Sequence, residues 1–115
     1  MTERLDLQSC PRLANAFALF GKRWNAVIVD LLLQRPARFH ELAETVPKLS
    51  QRVLTERLRE LEHAGVIARE VKTGPPIAVT YSLTPLGQKL RPAMDAMREW
   101  SSDLATAAGP AGASS

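Results

Sequence analysis

Apolar residues recur at intervals of three and four along the first half of the chain, which is the period of helices with one buried face. Ser9 as N-cap and Pro11 in the first turn are typical of a helix start. Pro36 and Pro47 are expected to end the second and third helices, and Gly65 is expected to end the fourth. The pattern predicts four helices, with a short extended piece at Arg38–Phe39, over Pro11–Phe20, Trp24–Leu33, His40–Val46 and Gln51–His63.

After Gly65 the period changes from helical to alternating. Residues 79–83 alternate between apolar and polar side chains, as in a half-buried strand. Val66–Val71 and Ile77–Leu83 are rich in β-branched residues, and the residues between them, 72–76, are turn formers. The two segments are therefore predicted to form a hairpin.

A last helix is predicted from Pro85 to about Leu104, started by Thr84 as N-cap and bent at Pro92. Its apolar stripe consists of Leu86, Leu90, Met94, Met97 and Trp100. The remaining residues are small and polar, which predicts a disordered tail. The chain therefore divides into an N-terminal arm, one folded domain and a tail, over residues 1–8, 9–104 and 105–115.

Composition narrows the class of protein. The 115 residues suit one domain, and 45% hydrophobic residues are typical of a globular chain. Lys and Arg outnumber Asp and Glu by 15 to 12, with a pI of about 9.5, which permits a polyanionic partner without requiring one. A single cysteine excludes an internal disulfide, and neither a signal peptide nor a membrane-length apolar run is visible. We expect a cytoplasmic protein without a membrane partner.

The third and fourth predicted helices are joined by the short turn 47–49, which indicates a helix-turn-helix with the hairpin as its wing. The predicted fold is mainly α with a small β-hairpin wing, a winged helix-turn-helix with extra N- and C-terminal helices. On the fourth helix, Leu54, Leu58 and Leu61 form the buried stripe. The polar residues around the rest of that helix are Ser50, Gln51, Arg52, Thr55, Glu56, Arg59 and His63.

The polar face of the fourth helix suits the major groove of DNA. Arg52 can read guanine, Gln51 adenine, and Thr55 a thymine methyl group or a phosphate. The alternative is an ordinary solvated face, because Glu56 can pair with arginines one turn away in either direction. The DNA interpretation takes the following residues as its contacts: Arg38, His40, Ser50, Gln51, Arg52, Thr55, Glu56, Arg59, and, on the wing, Arg69 and Lys72.

Several blocks of the chain, taken in order, resemble the HxlR-type regulators, which are relatives of the MarR-type winged-helix proteins. The blocks are Cys10-Pro11, Phe20–Trp24, Arg38–Leu42, Leu49–Glu62, Gly65–Arg69 and Tyr81–Gly87. The wing tip, residues 73–76, departs from the longer acidic and proline-containing wing common in that family.

The resemblance implies a homodimer in which the first and last helices pack against their symmetry mates. Two recognition helices would then lie about 34–36 Å apart on double-stranded DNA with a pseudo-palindromic operator. The alternative is that the apolar stripes form the core of a monomer. The aromatic residues Phe17, Phe20, Trp24 and Trp100 are candidates for a ligand pocket between the dimer helices, or for ordinary core.

Cys10 lies at the start of the first predicted helix, where the helix dipole favours a thiolate. Some regulators that this chain resembles use a cysteine at this position to sense oxidants or electrophiles. A single thiol would respond through an intersubunit disulfide, a mixed disulfide or alkylation. The alternative is a small, inert side chain packed at the dimer interface.

No pattern for catalysis or for a metal site is present. The chain has no Gly-rich phosphate loop, no GxSxG and no HExxH motif. Its two histidines, His40 and His63, lack the neighbours and spacing of zinc ligands, and His40 is expected to position the third helix or contact a phosphate. We expect a protein that is not an enzyme and needs no cofactor.

The combined interpretation is a dimeric, sequence-specific transcriptional regulator that responds to oxidants or electrophiles through Cys10. A repressor is expected, because the sequence offers no activation surface. Two alternatives stay open: a regulator that responds to a small molecule without thiol sensing, and a winged-helix module that binds a protein.

Overall fold

A computed structural model of the protein describes residues 7–113, with side chains up to residue 109. The helices are α1 (Pro11–Phe20), α2 (Arg23–Gln34), α3 (Phe39–Thr45), α4 (Gln51–His63), α5 (Pro85–Gln88) and α6 (Arg91–Ala113). The strands are β1 (Ala37–Arg38), β2 (Ile67–Lys72) and β3 (Ala78–Leu83). The predicted fold class, a mainly helical protein with a small β wing, is confirmed.

The helix starts follow capping rules, with one correction. Helix α1 begins at Pro11 as predicted, but its N-cap is Cys10 and not Ser9. The Cys10 Sγ accepts a hydrogen bond from the Leu13 backbone N–H at 3.4 Å. A thiol therefore occupies the position that a hydroxyl or carboxylate usually takes.

The three strands form one antiparallel sheet in the order β1-β3-β2. The wing hairpin pairs Ile67 with Leu83 and Lys72 with Ala78. The predicted extended piece at Arg38–Phe39 lies one residue earlier, and Arg38 of β1 pairs with Thr80 of β3. The helix-turn-helix is thereby joined to its wing by backbone hydrogen bonds.

The core lies where α2, α3 and α4 meet the sheet. Its most completely buried apolar side chains are Ile28, Val29, Leu42, Leu54, Leu58, Leu61 and Ile67. The leucine stripe predicted on α4 is therefore confirmed as its buried face. Gly65 ends α4 with φ 82°, and the Val66 N–H donates to the Leu61 carbonyl while the Gly65 N–H donates to Glu62. This Schellman motif turns the chain directly from α4 into the wing.

The last helix differs from the prediction in two ways. Pro92 was expected to bend one continuous helix, but the chain forms two helices separated by a turn at Lys89 and Leu90. The cause is that Pro92 offers no N–H to the Gln88 carbonyl and its ring would clash with that carbonyl.

The predicted end at Leu104 is wrong, because α6 continues to Ala113 with an interruption at Gly109. Residues 105–108 are mostly alanine, the strongest helix former, which favours continuation of the helix past Leu104. The predicted arm over 1–8 and tail over 105–115 fall partly on residues 1–6 and 114–115, which lie outside the described residues.

Thr84 and Gly87 fasten the C-terminal helices to the end of α4. The Thr84 hydroxyl donates to the carbonyl oxygens of Gly65, at 2.6 Å, and Val66, and accepts from the Gly87 N–H. A Cβ atom at Gly87 would lie 2.2 Å from the Val66 carbonyl oxygen. Only glycine lets α5 approach this closely.

Candidate nucleic-acid interface

Helix α4 is positioned with its polar face outward. The Ser50 hydroxyl caps the helix by accepting the Val53 N–H at 3.1 Å. Gln51 is exposed in the first turn, and the Arg52 side chain is 88% exposed. The structure therefore presents the two residues with the clearest base-reading chemistry at the N-terminal end of α4, the end that enters the groove in helix-turn-helix proteins.

The middle of the α4 face is less open than its start. Arg52 Nε lies 3.4 Å from a carboxylate oxygen of Glu56, as the i,i+4 spacing predicts. The Thr55 hydroxyl donates to the Gln51 carbonyl at 2.9 Å, which leaves its methyl group and the acceptor lone pairs of its oxygen for other contacts. Arg59 and His63 are exposed farther along the helix.

Helix α3 is fixed at its start by Glu41. The Glu41 carboxylate accepts from the Arg35 guanidinium at 2.8 Å and from the Arg38 backbone N–H at 2.9 Å. These two hydrogen bonds lower the pKa of Glu41 to about 2, so it is charged at any physiological pH. The side chains of Arg38 and His40 are exposed beside this start.

The wing carries the remaining predicted contacts. Arg69 and Lys72 are both exposed on β2, and Lys72 is the last residue before the tip. Lys48, which the sequence analysis did not select, is exposed in the turn between α3 and α4. Its signal was available, since the turn before a recognition helix often contacts phosphate and lysine suits that contact.

The four proposed pocket aromatics are not all brought together. A groove of about 400 Å³ between α1, the start of α2 and the start of α6 is lined by Phe17 and Phe20, with Leu13, Met94 and Met97. Trp24 and Trp100 do not line this groove. The predicted pocket lies between the helices of two protomers and stays a prediction. Arg23 instead stacks on the Trp24 ring, 4.5 Å from its centroid. Trp100 lies one turn beyond Met97 on α6 and is 55% exposed.

Cys10 is exposed at the free end of α1. Among the side chains that the structure describes, no group of three His, Cys, Asp or Glu residues could hold a metal ion. Within the same residues, the helices are too short or too polar to cross a bilayer.

Comparison with known proteins decides the family. A model of the HxlR-like helix-turn-helix family matches residues 19–108. The chain belongs to this family. It is 43% identical over 91 residues to the HTH-type transcriptional regulator YodB of Bacillus subtilis strain 168, an alignment that covers 79% of this chain and 81% of YodB.

Solved structures agree with this membership in the HxlR-like family. Quinone-bound YodB from B. subtilis has a TM-score of 0.73 and 40% identity, covering 83% of this chain and 99% of that one. The redox regulator HypR in its oxidised form has a TM-score of 0.76 and 35% identity, and the alignment covers 82% of this chain and 96% of HypR. This HxlR-like protein is a DNA-binding transcriptional regulator with a winged-helix fold.

Proposed function

We propose that this regulator binds double-stranded DNA as a homodimer, with α4 in the major groove and the wing on the sugar-phosphate backbone. The observation that carries the proposal is the N-terminal end of α4, where Ser50 caps the helix and Gln51 and Arg52 are exposed. Lys48 precedes it, and Lys72 lies on the wing. Repression follows if the operator overlaps a promoter, because the bound dimer would then exclude polymerase.

The homodimer is supported by apolar side chains on α1 and α6 that remain exposed in a single chain. More than half of the Phe17 and Trp100 surfaces is exposed, and Leu13, Met97 and Leu104 are exposed on the same two helices. None of the residues of α1 is buried. Apolar patches of this kind mark protein–protein interfaces, and a second copy of α1 and α6 is the occupant that we propose.

Substitution of Arg52 and of Lys72 is expected to have different effects on DNA binding. Arg52→Ala should cost ~1–3 kcal/mol at one base pair and relax the preference there. Lys72→Ala should weaken binding to cognate and to random DNA alike. It should also make the salt dependence of the affinity shallower by about one phosphate contact. Both effects are measured by titrating duplexes that the wild-type protein selects from a randomised pool. Equal losses on cognate and random duplexes for both variants would refute this division.

We further propose that Cys10 is the sensor residue of this regulator. Its support is the exposed thiol at the N-terminus of α1, together with the relatives YodB and HypR, which are solved in quinone-bound and oxidised forms. Oxidation would join the Cys10 thiols of two protomers, or one of them and a small thiol, in a disulfide, with two electrons and two protons passing to the oxidant. With a quinone, the Cys10 thiolate would instead attack a ring carbon. A C–S bond forms, the electrons of the ring C=C bond pass to a carbonyl oxygen that takes a proton, and transfer of the ring proton to the second oxygen leaves a hydroquinone thioether.

Cys10→Ser is expected to remove the response to oxidants and leave reduced DNA binding unchanged, because serine also caps a helix. The measurement is the affinity for the selected duplex before and after treatment with the thiol oxidant diamide. Oxidised wild-type protein should bind the duplex at least about tenfold more weakly than the reduced protein, and dithiothreitol should restore the affinity. A wild-type protein indifferent to diamide would contradict the sensor role and favour a small-molecule inducer without thiol chemistry.

A further inference from the structure

A polar cluster lies beneath the turn between α1 and α2. The side chain of Asn25 is fully buried there, and its Nδ2 donates to the Leu19 carbonyl at 2.8 Å and to Glu60 Oε1 at 3.1 Å. The Lys22 ammonium contacts the other carboxylate oxygen of Glu60 at 2.5 Å. Glu60 thus accepts from two residues of another part of the chain.

The cluster connects α1, the proposed dimerisation helix, to α4, the proposed recognition helix. Leu19 lies in the last turn of α1, Lys22 in the turn that follows, and Glu60 in the second half of α4. No residue of α1 is fully buried, and only Leu19 and Phe20 at its C-terminal end pack against the core, so the contacts at that end help to set its orientation. Asn25 satisfies a carbonyl at that end which the helix leaves without a partner, and Glu60 fixes Asn25.

Glu60 is the shared partner of three residues in this cluster, because Arg57 Nη1 also lies 3.3 Å from its Oε1. The Asn25 Oδ1 atom and the Arg57 Nε atom are buried without a hydrogen-bond partner among the described residues. The pKa of Glu60 is lowered most by the hydrogen bond from Lys22 and next by the hydrogen bond from Asn25. Both keep the carboxylate charged. Without this carboxylate, the buried Asn25 amide would keep only the Leu19 carbonyl as acceptor, and the Lys22 ammonium would lose its ion-pair partner.

We propose that Glu60 is a positioning residue for DNA binding, which fixes α1 against α4 and so sets the separation and tilt of the two recognition helices in the dimer. The proposal rests on the proposed function. It concerns a residue that faces the α1–α2 turn and not the exposed polar face of α4. Glu60 therefore acts through geometry and not through contact with DNA.

The direction in which one substitution changes the affinity for DNA distinguishes a positioning role of Glu60 from a purely electrostatic one. Replacing a carboxylate by a neutral amide removes a negative charge, which by itself strengthens attraction to phosphate. Loss of helix position weakens specific binding instead. Glu60→Gln is therefore compared with Glu62→Gln, a matched control with the same charge change on an exposed residue of the same helix.

We expect Glu60→Gln to bind the selected duplex about threefold to tenfold more weakly, the range of one coupled polar contact, and Glu62→Gln to bind it equally or more tightly. Adding Lys22→Met to Glu60→Gln should lower the affinity for the duplex less than Lys22→Met lowers it in the wild-type protein, because the Lys22–Glu60 pair is already broken. Thermal melting of each variant shows that the compared proteins are folded. Equal affinities of the two glutamine variants, or additive losses with Lys22→Met, would overturn the proposal.

Hydrogen exchange in the absence of DNA gives an independent readout. The Gly21 amide, which donates to the Phe17 carbonyl at the end of α1, should exchange faster in Glu60→Gln and be unchanged in Glu62→Gln. Faster exchange of the Gly21 amide with unchanged affinity for the duplex would mean that Glu60 stabilises only the end of α1. That result would overturn its role in DNA binding. A wild-type protein that selects no duplex would refute the proposed function, and exchange alone would then decide whether Glu60 holds α1.

Discussion

Phe17→Glu is expected to convert the protein to a monomer and to lower its affinity for a duplex with two half-sites by roughly 10²–10⁴-fold, the usual gain from linking two binding modules. Phe17 is 56% exposed on α1, so the substitution leaves the core of the single chain intact. In the proposed dimer, however, a carboxylate would be buried against apolar side chains without a partner. The assembly state is measured by sedimentation equilibrium and the affinity by titration.

The control for this prediction is Ile77→Glu, which places the same charge at an apolar residue that is 73% exposed at the base of the wing tip. That variant should remain dimeric. If Phe17→Glu stays dimeric at the same protein concentration, the interface does not include this face of α1. If it is monomeric but binds the duplex as tightly as wild type, the two half-sites are not read together.

Gly87→Ala is expected to destabilise the fold by about 3 kcal/mol, the upper end of the usual cost of overpacking. The added methyl group would lie 2.2 Å from the Val66 carbonyl oxygen and 3.0 Å from the Leu83 side chain. That carbonyl cannot move away easily, because it accepts hydrogen bonds from both the backbone and the hydroxyl of Thr84. Helix α5 must therefore shift, and α6 with it.

A second glycine separates steric from conformational cost. Gly65 has φ 82°, but a Cβ atom there would meet only Leu86 Cδ2 at 4.0 Å. Gly65→Ala should therefore cost only the left-handed backbone penalty, about 1 kcal/mol. Both values come from denaturant unfolding at one protein concentration, because the proposed dimerisation would make stability concentration-dependent. A Gly87→Ala variant no less stable than Gly65→Ala would contradict the close packing of α5.

Local rules were sufficient to predict the winged helix itself. The bounds of α1 and α4 follow from caps and apolar period, and both are confirmed. The leucines of α4 are buried because their spacing matches the helix and the core lies on one side only. The break before α6 was misjudged as a bend, since the sequence marks Pro92 but not how far the chain unwinds to avoid its ring.

Contacts between distant segments were beyond the sequence analysis. Nothing in the apolar pattern indicates that Asn25 reaches Leu19 and Glu60 at once, because that depends on the packing of α2 against α4. The same holds for the aromatic residues, of which the structure places Phe17 and Phe20 in one groove but not Trp24 or Trp100. Spacing along one helix predicts a shared face, whereas a pocket depends on how several helices cross.

The central claim is that this protein reads DNA sequence through α4. The most direct test titrates the wild-type protein with a duplex selected from a randomised pool and with a shuffled duplex, at several salt concentrations. We expect binding to the selected duplex at least ~10³-fold tighter than to the shuffled one, with affinity for both falling steeply as salt rises. Weak and equal binding to the two duplexes, or affinity indifferent to salt, would contradict the claim and favour a protein partner for this surface.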